Sequence, residues 1–80
     1  MAVLRLFAQA REAAGTGRDT IDGTNVGDVI ASARARYGAE FESVLGISAV
    51  WLNGEPAGAD AAVTDTDEVA VIPPVSGGAR

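Results

Sequence analysis

Residues 25–38 read NVGDVIASARARYG, and this segment predicts an amphipathic α-helix. Asn25 is a preferred N-cap residue, and Asp28 follows three positions later, as in a capping box. The apolar side chains recur at i, i+3, i+4, i+7 and i+11, on one helix face: Val26, Val29, Ile30, Ala33 and Tyr37. Gly38 is a typical helix-ending residue, so we predict one long helix with a single apolar face.

The residues before this helix predict two strands. Residues 2–8 alternate between two faces, with Leu4 and Leu6 on one face and Val3, Arg5 and Phe7 on the other. Residues 9–14 are alanine-rich and predict a loop or one helical turn before Gly15-Thr16-Gly17. Residues 18–22 lie at a hairpin's distance from the first strand and predict the second.

The residues after the helix predict a short helix or packed loop and further strands. Phe41, Val44 and Leu45 repeat a helical spacing that ends at Gly46. Residues 47–52 are an apolar run of strand formers, in which Trp51 faces the outer side, and Asn53-Gly54 is a strong turn signal.

The last strand is predicted at residues 68–72, after a short strand and a small-residue stretch at 57–62. Val69 and Val71 lie on one face of this strand, and Ala70 and Ile72 lie on the other. The order of elements describes one α+β domain over residues 1–80, with a main helix across a mixed sheet. This order is that of the ubiquitin-like β-grasp fold, in which the first and last strands are central neighbours.

Composition excludes several classes of function. The 80 residues include no Cys and no His, so a catalytic thiol, a thiolate metal site and a Ser–His relay are all excluded. The formal net charge of −5 disfavours nucleic acid and suits a protein partner with a basic face. We expect no metal and no membrane segment, and we expect a cytoplasmic location.

The C-terminal residues predict a stiff arm with a thin end. Pro73-Pro74 fixes the direction in which the chain leaves the sheet, and the predicted flexible tail covers residues 74–80. Gly77 and Gly78 have no Cβ, so they can enter a channel too narrow for other residues. A frayed terminus would also contain glycine, and the tail alone does not separate these two interpretations.

Three segments resemble the MoaD family, the small subunit of molybdopterin synthase, over nearly the whole chain. They are residues 6–16, with Leu6-Phe7-Ala8, Arg11-Glu12 and Gly15-Thr16; residues 50–55, VWLNGE; and residues 64–78, TDTDEVAVIPPVSGG. The third is the most specific, because an acidic turn, a short strand, Pro-Pro-Val-Ser and a diglycine occur in series.

The resemblance implies a sulfur carrier. An E1-like adenylating enzyme would use ATP to adenylate the Gly78 carboxylate, and a sulfur donor would displace AMP to leave a thiocarboxylate. The large subunit of molybdopterin synthase would then accept the tail and pass the sulfur to a pterin precursor. This chain would bind no cofactor itself, because the partners would supply the catalytic groups.

One departure from the family is that Ala79-Arg80 follows the diglycine. An internal Gly78 has no free carboxylate, so we expect proteolysis after Gly78. A cloning remnant, a paralogue that has lost this chemistry and adenylation at Arg80 are the open alternatives.

The strand phases place Phe7 and Ile72 on the outer face of the sheet, where an apolar patch usually marks a partner site. The alternative is a phase error of one residue, which would make both side chains core. Arg11 and Pro56 match interface positions of the family, as do the tail residues Val75, Ser76 and Gly77. Trp51 is either an interface anchor or covered by the short helix or the 57–62 loop.

Three functions compete at this level. The first is the molybdopterin-synthase carrier. The second is a carrier for another sulfur pathway, such as thiamine, cysteine or tRNA thiolation. The third is a β-grasp interaction module without conjugation chemistry, which Ala79-Arg80 favours.

Overall fold

The computed structural model describes residues 2–74. Its elements are β1 Ala2–Leu6, α1 Ala8–Ala14, β2 Arg18–Ile21, α2 Val26–Tyr37, α3 Ala39–Leu45, β3 Ala49–Leu52, β4 Glu55–Pro56 and β5 Glu68–Ile72. Within this part of the chain, every helix is too short or too polar to cross a bilayer.

The five strands form one mixed sheet in the order β2-β1-β5-β3-β4. The central pair, β1 and β5, is parallel, and the other three pairs are antiparallel. The predicted neighbourhood of the first and last strands is therefore confirmed. The sheet and the three helices make the α+β, ubiquitin-like β-grasp fold that the order of elements predicts.

Helix α2 forms as its sequence predicts. The Asn25 side chain accepts a hydrogen bond of 2.7 Å from the backbone N–H of Asp28, and Gly38 ends the helix with φ 91°. The apolar face of α2 joins the inner face of the sheet in one buried cluster, which includes Val29, Leu4 and Val69. The long helix thereby covers the inner sheet face and leaves the outer face open.

Two local predictions differ from the structure. The sequence predicts a loop or one helical turn at residues 9–14, but α1 is a helix of seven residues whose Ala10 is fully buried. The run at 47–52 begins as a strand only at Ala49, because the N–H of Ile47 bonds the carbonyl of Val44 and extends the end of α3. Ile47 consequently lies on the surface.

The acidic turn before β5 has an internal role. An Asp67 oxygen accepts hydrogen bonds from the Thr64 N–H at 2.8 Å, and its other oxygen accepts from the Asn53 side chain at 2.9 Å. Asn53 in turn accepts from the N–H of Glu68 at 2.9 Å. The hydrogen bond from Asn53, followed by the one from the Thr64 backbone, lowers the pKa of Asp67. Asp67 therefore ties the Asn53-Gly54 turn to the start of β5.

Candidate partner-binding site

One row of residues crosses all five strands on the outer face of the sheet. The Cα register pairs Arg18 with Arg5, Arg5 with Ala70, Ala70 with Trp51, and Trp51 with Pro56. Their neighbours along the strands, such as Leu4, Val69 and Val71, are fully buried on the opposite face. The strand phases predicted from the sequence are therefore correct, and the core interpretation of Phe7 and Ile72 is wrong.

Phe7 and Ile72 lie where the two central strands end. The N–H of Phe7 donates to the carbonyl of Val71 at 3.3 Å, so Phe7 continues the β1–β5 pairing by one residue. The chain then turns at Ala8, which has a left-handed backbone with φ 50°. The Phe7 side chain is 40% exposed, and Ile72 is half-buried without joining the core cluster. The two residues form the apolar end of the outer face.

Phe7 also borders a basic pocket, which we define by Arg5, Arg11, Arg18 and Phe7. This pocket has a volume of about 380 Å³ and lies between the end of β1, the start of β2 and α1. Three of the six cationic side chains of the chain line it, although the net charge of the whole protein is −5. The pocket therefore offers positive charge beside an apolar ring on an otherwise acidic protein.

The arginines of the basic pocket are held by different contacts. Arg5 donates to the Glu68 carboxylate at 3.3 Å, and its guanidinium carbon lies 5.6 Å from the centroid of the Phe7 ring. A Cβ placed on Gly17 would lie only 3.3 Å from Nε of Arg11, so the glycine leaves room for that side chain. Arg5 and Arg18 lie directly opposite each other, and like charges at such a position destabilise a sheet. The ion pair between Arg5 and Glu68 offsets part of this repulsion, and both arginines line the basic pocket.

The sequence names Phe7 and Arg11 as partner-binding residues, Arg11 from the family resemblance alone, and it does not name Arg5 or Arg18. The parity of the two predicted strands places both arginines on the outer face, which was the available signal. Pro56 is exposed on the same face but lies on β4, at the edge of the sheet opposite to β2. Trp51 is half-buried beside Ala70 and is not part of the core cluster.

The predicted tail residues Val75, Ser76, Gly77 and Gly78 lie outside the described residues. The last residues before them are Pro73, which is buried, and Pro74, which is exposed. Since β5 runs parallel to β1, the chain leaves the sheet at the end that carries Phe7 and the basic pocket.

Titratable groups with shifted pKa values lie away from this site. Between residues 2 and 74, the resolved shifts belong to Asp67 in its turn and to Asp19, Arg36 and Tyr37 at the junction of β2 with α2. The same part of the chain holds no cluster of acidic side chains that could bind a metal ion. The site offers shape and charge to a partner.

The family comparison matches nearly the whole chain. The ThiS family model aligns with residues 4–78, from the first strand through both glycines of the diglycine. The aligned region covers seven elements of the fold completely, the last three residues of β1 and the basic pocket.

Solved structures agree with this result. The crystal structure of small archaeal modifier protein 1 from Haloferax volcanii has 34% sequence identity and a TM-score of 0.79, and the match covers 96% of this chain and 98% of that one. The solution structure of small archaeal modifier protein 1 from Methanosarcina acetivorans has 31% identity and a TM-score of 0.84, with coverages of 96% and 95%. The putative molybdopterin converting factor, subunit 1, from Pyrococcus furiosus has 26% identity and a TM-score of 0.74, with coverages of 92% and 97%.

Proposed function

The chain belongs to the ThiS family of ubiquitin-like sulfur carriers, and on that premise we propose that it carries sulfur on Gly78 for molybdopterin synthesis. The observation that carries the proposal is the family match through residue 78, which includes the diglycine after the folded domain. The similarity to a putative molybdopterin converting factor subunit supports this pathway. We propose that the protein acts in the cytoplasm.

The proposed chemistry begins at the Gly78 carboxylate, once proteolysis has removed Ala79-Arg80. A carboxylate is a poor electrophile, so an E1-like enzyme converts it with ATP to an acyl-adenylate and releases pyrophosphate. A sulfur nucleophile then displaces AMP and leaves a thiocarboxylate. This chain supplies position, and its lack of Cys and His agrees with catalysis by groups of the partner.

The fold supports insertion of the tail into a partner. Pro73 is buried against the domain, which fixes the point where the tail departs. Gly78 is four positions beyond Pro74, and four residues of extended chain span at most about 14 Å. The partner's reactive site must therefore lie close to Phe7, Ile72 and the basic pocket, so these side chains are the proposed docking contacts. Acidic side chains on the partner would complement the arginines.

The first experiment compares the full chain with a chain that ends at Gly78. Each is incubated with ATP, an E1-like adenylating enzyme of the family and a sulfur donor, and the intact mass is measured. We expect the truncated chain to exchange one oxygen for sulfur and the full chain to remain unchanged. A truncated chain in which Gly78 is replaced by proline is the control that should not react.

The outcomes separate the competing functions. Reaction of neither chain would contradict the carrier proposal and favour an interaction module without conjugation chemistry. If the full chain reacts at Arg80, the proposed removal of Ala79-Arg80 is contradicted, but the carrier proposal is not. If the truncated chain reacts, binding to the large subunit of molybdopterin synthase tests the pathway. Absence of that complex would favour a carrier for thiamine, cysteine or tRNA thiolation.

A second candidate function is attachment to other proteins as a modifier. It is favoured by the relatives at 34% and 31% identity, whose names describe them as small archaeal modifier proteins. A lysine amine of a target protein would attack the same Gly78 acyl-adenylate, form an isopeptide bond and release AMP. The test is peptide mass spectrometry of host-cell proteins for a lysine joined to the C-terminal peptide that ends at Gly78; after trypsin this peptide is residues 37–78, because Arg36 is the last cleavage site before the tail.

A further inference from the structure

A second surface lies between α1 and α3, apart from the outer sheet face and the basic pocket. The two helices enclose a groove of about 330 Å³, whose apolar part is formed by Ala13, Val44 and Ile47. Glu12 and Glu40 stand on its two sides, one from each helix. This volume is near the lower end of small-molecule pockets, which have roughly 300–1,000 Å³, and suits one or two inserted side chains.

The exposure of the Ile47 side chain is not explained by a role in folding. Its side chain is 62% exposed, and among residues 2–74 only Phe7 is another large apolar side chain classed as exposed. The N–H of Ile47 bonds the carbonyl of Val44 at 3.1 Å, and the Ser48 hydroxyl bonds the same carbonyl at 2.7 Å. These bonds hold the segment in place, so a ligand that covers Ile47 orders little additional backbone.

The acidic side chains of the groove are also available. Over residues 2–74, Glu12 and Glu40 make no ion pair and no side-chain hydrogen bond with another residue. Glu12 lies in the C-terminal half of α1, where a negative charge opposes the helix dipole. Glu40 lies in the first turn of α3, where the helix dipole favours its charge. The groove thus combines an exposed apolar side chain with two negative charges that pair with no cationic side chain among residues 2–74.

We propose that the α1–α3 groove docks a protein segment that inserts an aliphatic or aromatic side chain between flanking Lys or Arg residues. Apolar contact with Ile47 and Val44 supplies affinity, and the basic residues meet Glu12 and Glu40. The groove is opposite in charge to the basic pocket, so it selects a different class of partner segment. Its occupation leaves the outer sheet face free, which allows a carrier to be bound by a second protein while its tail is used.

A peptide-display selection tests the chemistry of this partner. A random library of 16-residue peptides is selected on the full chain, with counter-selection on the Ile47→Ser variant. We expect enriched peptides to carry an apolar residue flanked by Lys or Arg. The affinity of one enriched synthetic peptide is then measured by titration calorimetry.

The variants make this binding test specific. Ile47→Ser should weaken the peptide by about tenfold or more, since the exposed isoleucine provides most of the buried apolar area. Glu12→Gln and Glu40→Gln should each weaken it about two- to fivefold, with the effect reduced at high salt. Glu42→Gln is the matched control on α3, because its side chain lines a different depression.

Three results would overturn the proposal. One is the absence of peptides that depend on Ile47, and another is enrichment of acidic or uncharged peptides. The third is self-association of the chain in sedimentation that Ile47→Ser abolishes, which would assign the groove to a second copy. Failure here is distinguishable from failure of the sulfur-carrier proposal, because the mass assay on Gly78 requires neither Ile47 nor the groove.

Discussion

At the scale of the single residue, Tyr37 is the clearest reporter of its surroundings. Its hydroxyl donates to the Asp19 carboxylate, and burial followed by this bond raises the pKa of Tyr37 to about 12 from the ordinary 10.0. Tyr37 is the only tyrosine, so absorbance during an alkaline titration reports its ionisation alone. We expect a midpoint near 12, and Asp19→Asn should lower it only partly because burial remains. A wild-type midpoint near 10.0 would contradict this environment.

The hydrogen bond between Tyr37 and Asp19 also makes the free energy of unfolding depend on pH under acidic conditions. Hydrogen bonds from Tyr37 and then Arg36 lower the pKa of Asp19 below its ordinary 3.8. The charged Asp19 therefore stabilises the fold above pH 3.8, and this contribution is lost as the pH falls through the lower folded-state pKa. Tyr37→Phe should reduce the free energy of unfolding by about 1–2 kcal/mol at pH 7.

Urea denaturation at pH 7, 5 and 3 tests this dependence. The difference between wild type and Tyr37→Phe should be constant between pH 7 and 5 and smaller at pH 3. The substitution keeps the ring, whose centroid lies 5.2 Å from that of Phe41, so packing is largely retained. Asp22→Asn, an exposed change on the loop after β2, should have no measurable effect. An equal difference at all three pH values would exclude this role for Asp19.

At the scale of the element, the start of α2 depends on Asn25. Its side chain accepts from the Asp28 N–H at 2.7 Å, which satisfies one of the free donors at the helix start. Asn25→Ala should lower the free energy of unfolding by about 1 kcal/mol, and Asn25→Ser should retain most of the stability. Chemical denaturation of both variants measures the difference. Equal losses in both would show that the cap bond itself contributes nothing.

The elements that sequence predicted correctly are those with local signals. The cap and apolar face of α2 and the Asn53-Gly54 turn, where both residues have positive φ, are encoded within a few positions. Helix α1 lacks an N-terminal signal, because its N-cap Phe7 makes no side-chain cap bond, although its residues AQAREAA favour a helix and Gly15 caps its end with φ 80°. Its helix depends on packing against α3, which is a long-range contact. Ile47 was misassigned because its β-branched side chain favours a strand locally.

In the candidate site, too, features with local signals are predicted and features set by long-range contacts are not. Alternation along β1 and β5 was sufficient to place Phe7 and Ile72 on the outer face. The basic pocket required the register that sets Arg18 opposite Arg5 and the position of α1 that brings Arg11 to them. Neither follows from periodicity in one strand, so the pocket was not predicted as a unit.

At the scale of the whole molecule, charge is distributed unevenly. The net charge is −5, yet the basic pocket concentrates three arginines beside the point where the tail departs. Arg5→Gln and Arg18→Gln should each weaken binding to the proposed adenylating enzyme about two- to fivefold and reduce the salt dependence of that binding. Arg34→Gln on α2 is the matched control and should change neither. Unchanged binding in the pocket variants would remove the arginines from the docking surface.

The two faces of β1 have different roles, because side chains on the inner face are buried in the core and those on the outer face are available to a partner. Leu4 is fully buried, and Leu4→Ala should cost about 2–5 kcal/mol, a large part of the roughly 4–12 kcal/mol available to a domain of this length. Phe7 is 40% exposed, and Phe7→Ala should cost only about 1 kcal/mol, mainly its contact with Arg5.

Affinity for the adenylating enzyme should follow the opposite order. Phe7→Ala removes an exposed aromatic anchor, so binding should weaken about tenfold while thermal unfolding changes little. Leu4→Ala should unfold at lower temperature, but its folded fraction should bind with wild-type affinity. Calorimetry at a temperature where both variants are folded measures this directly. If Phe7→Ala binds normally and Leu4→Ala does not, the outer face is not the docking surface. The weaker binding of Leu4→Ala would then result from a change in the fold.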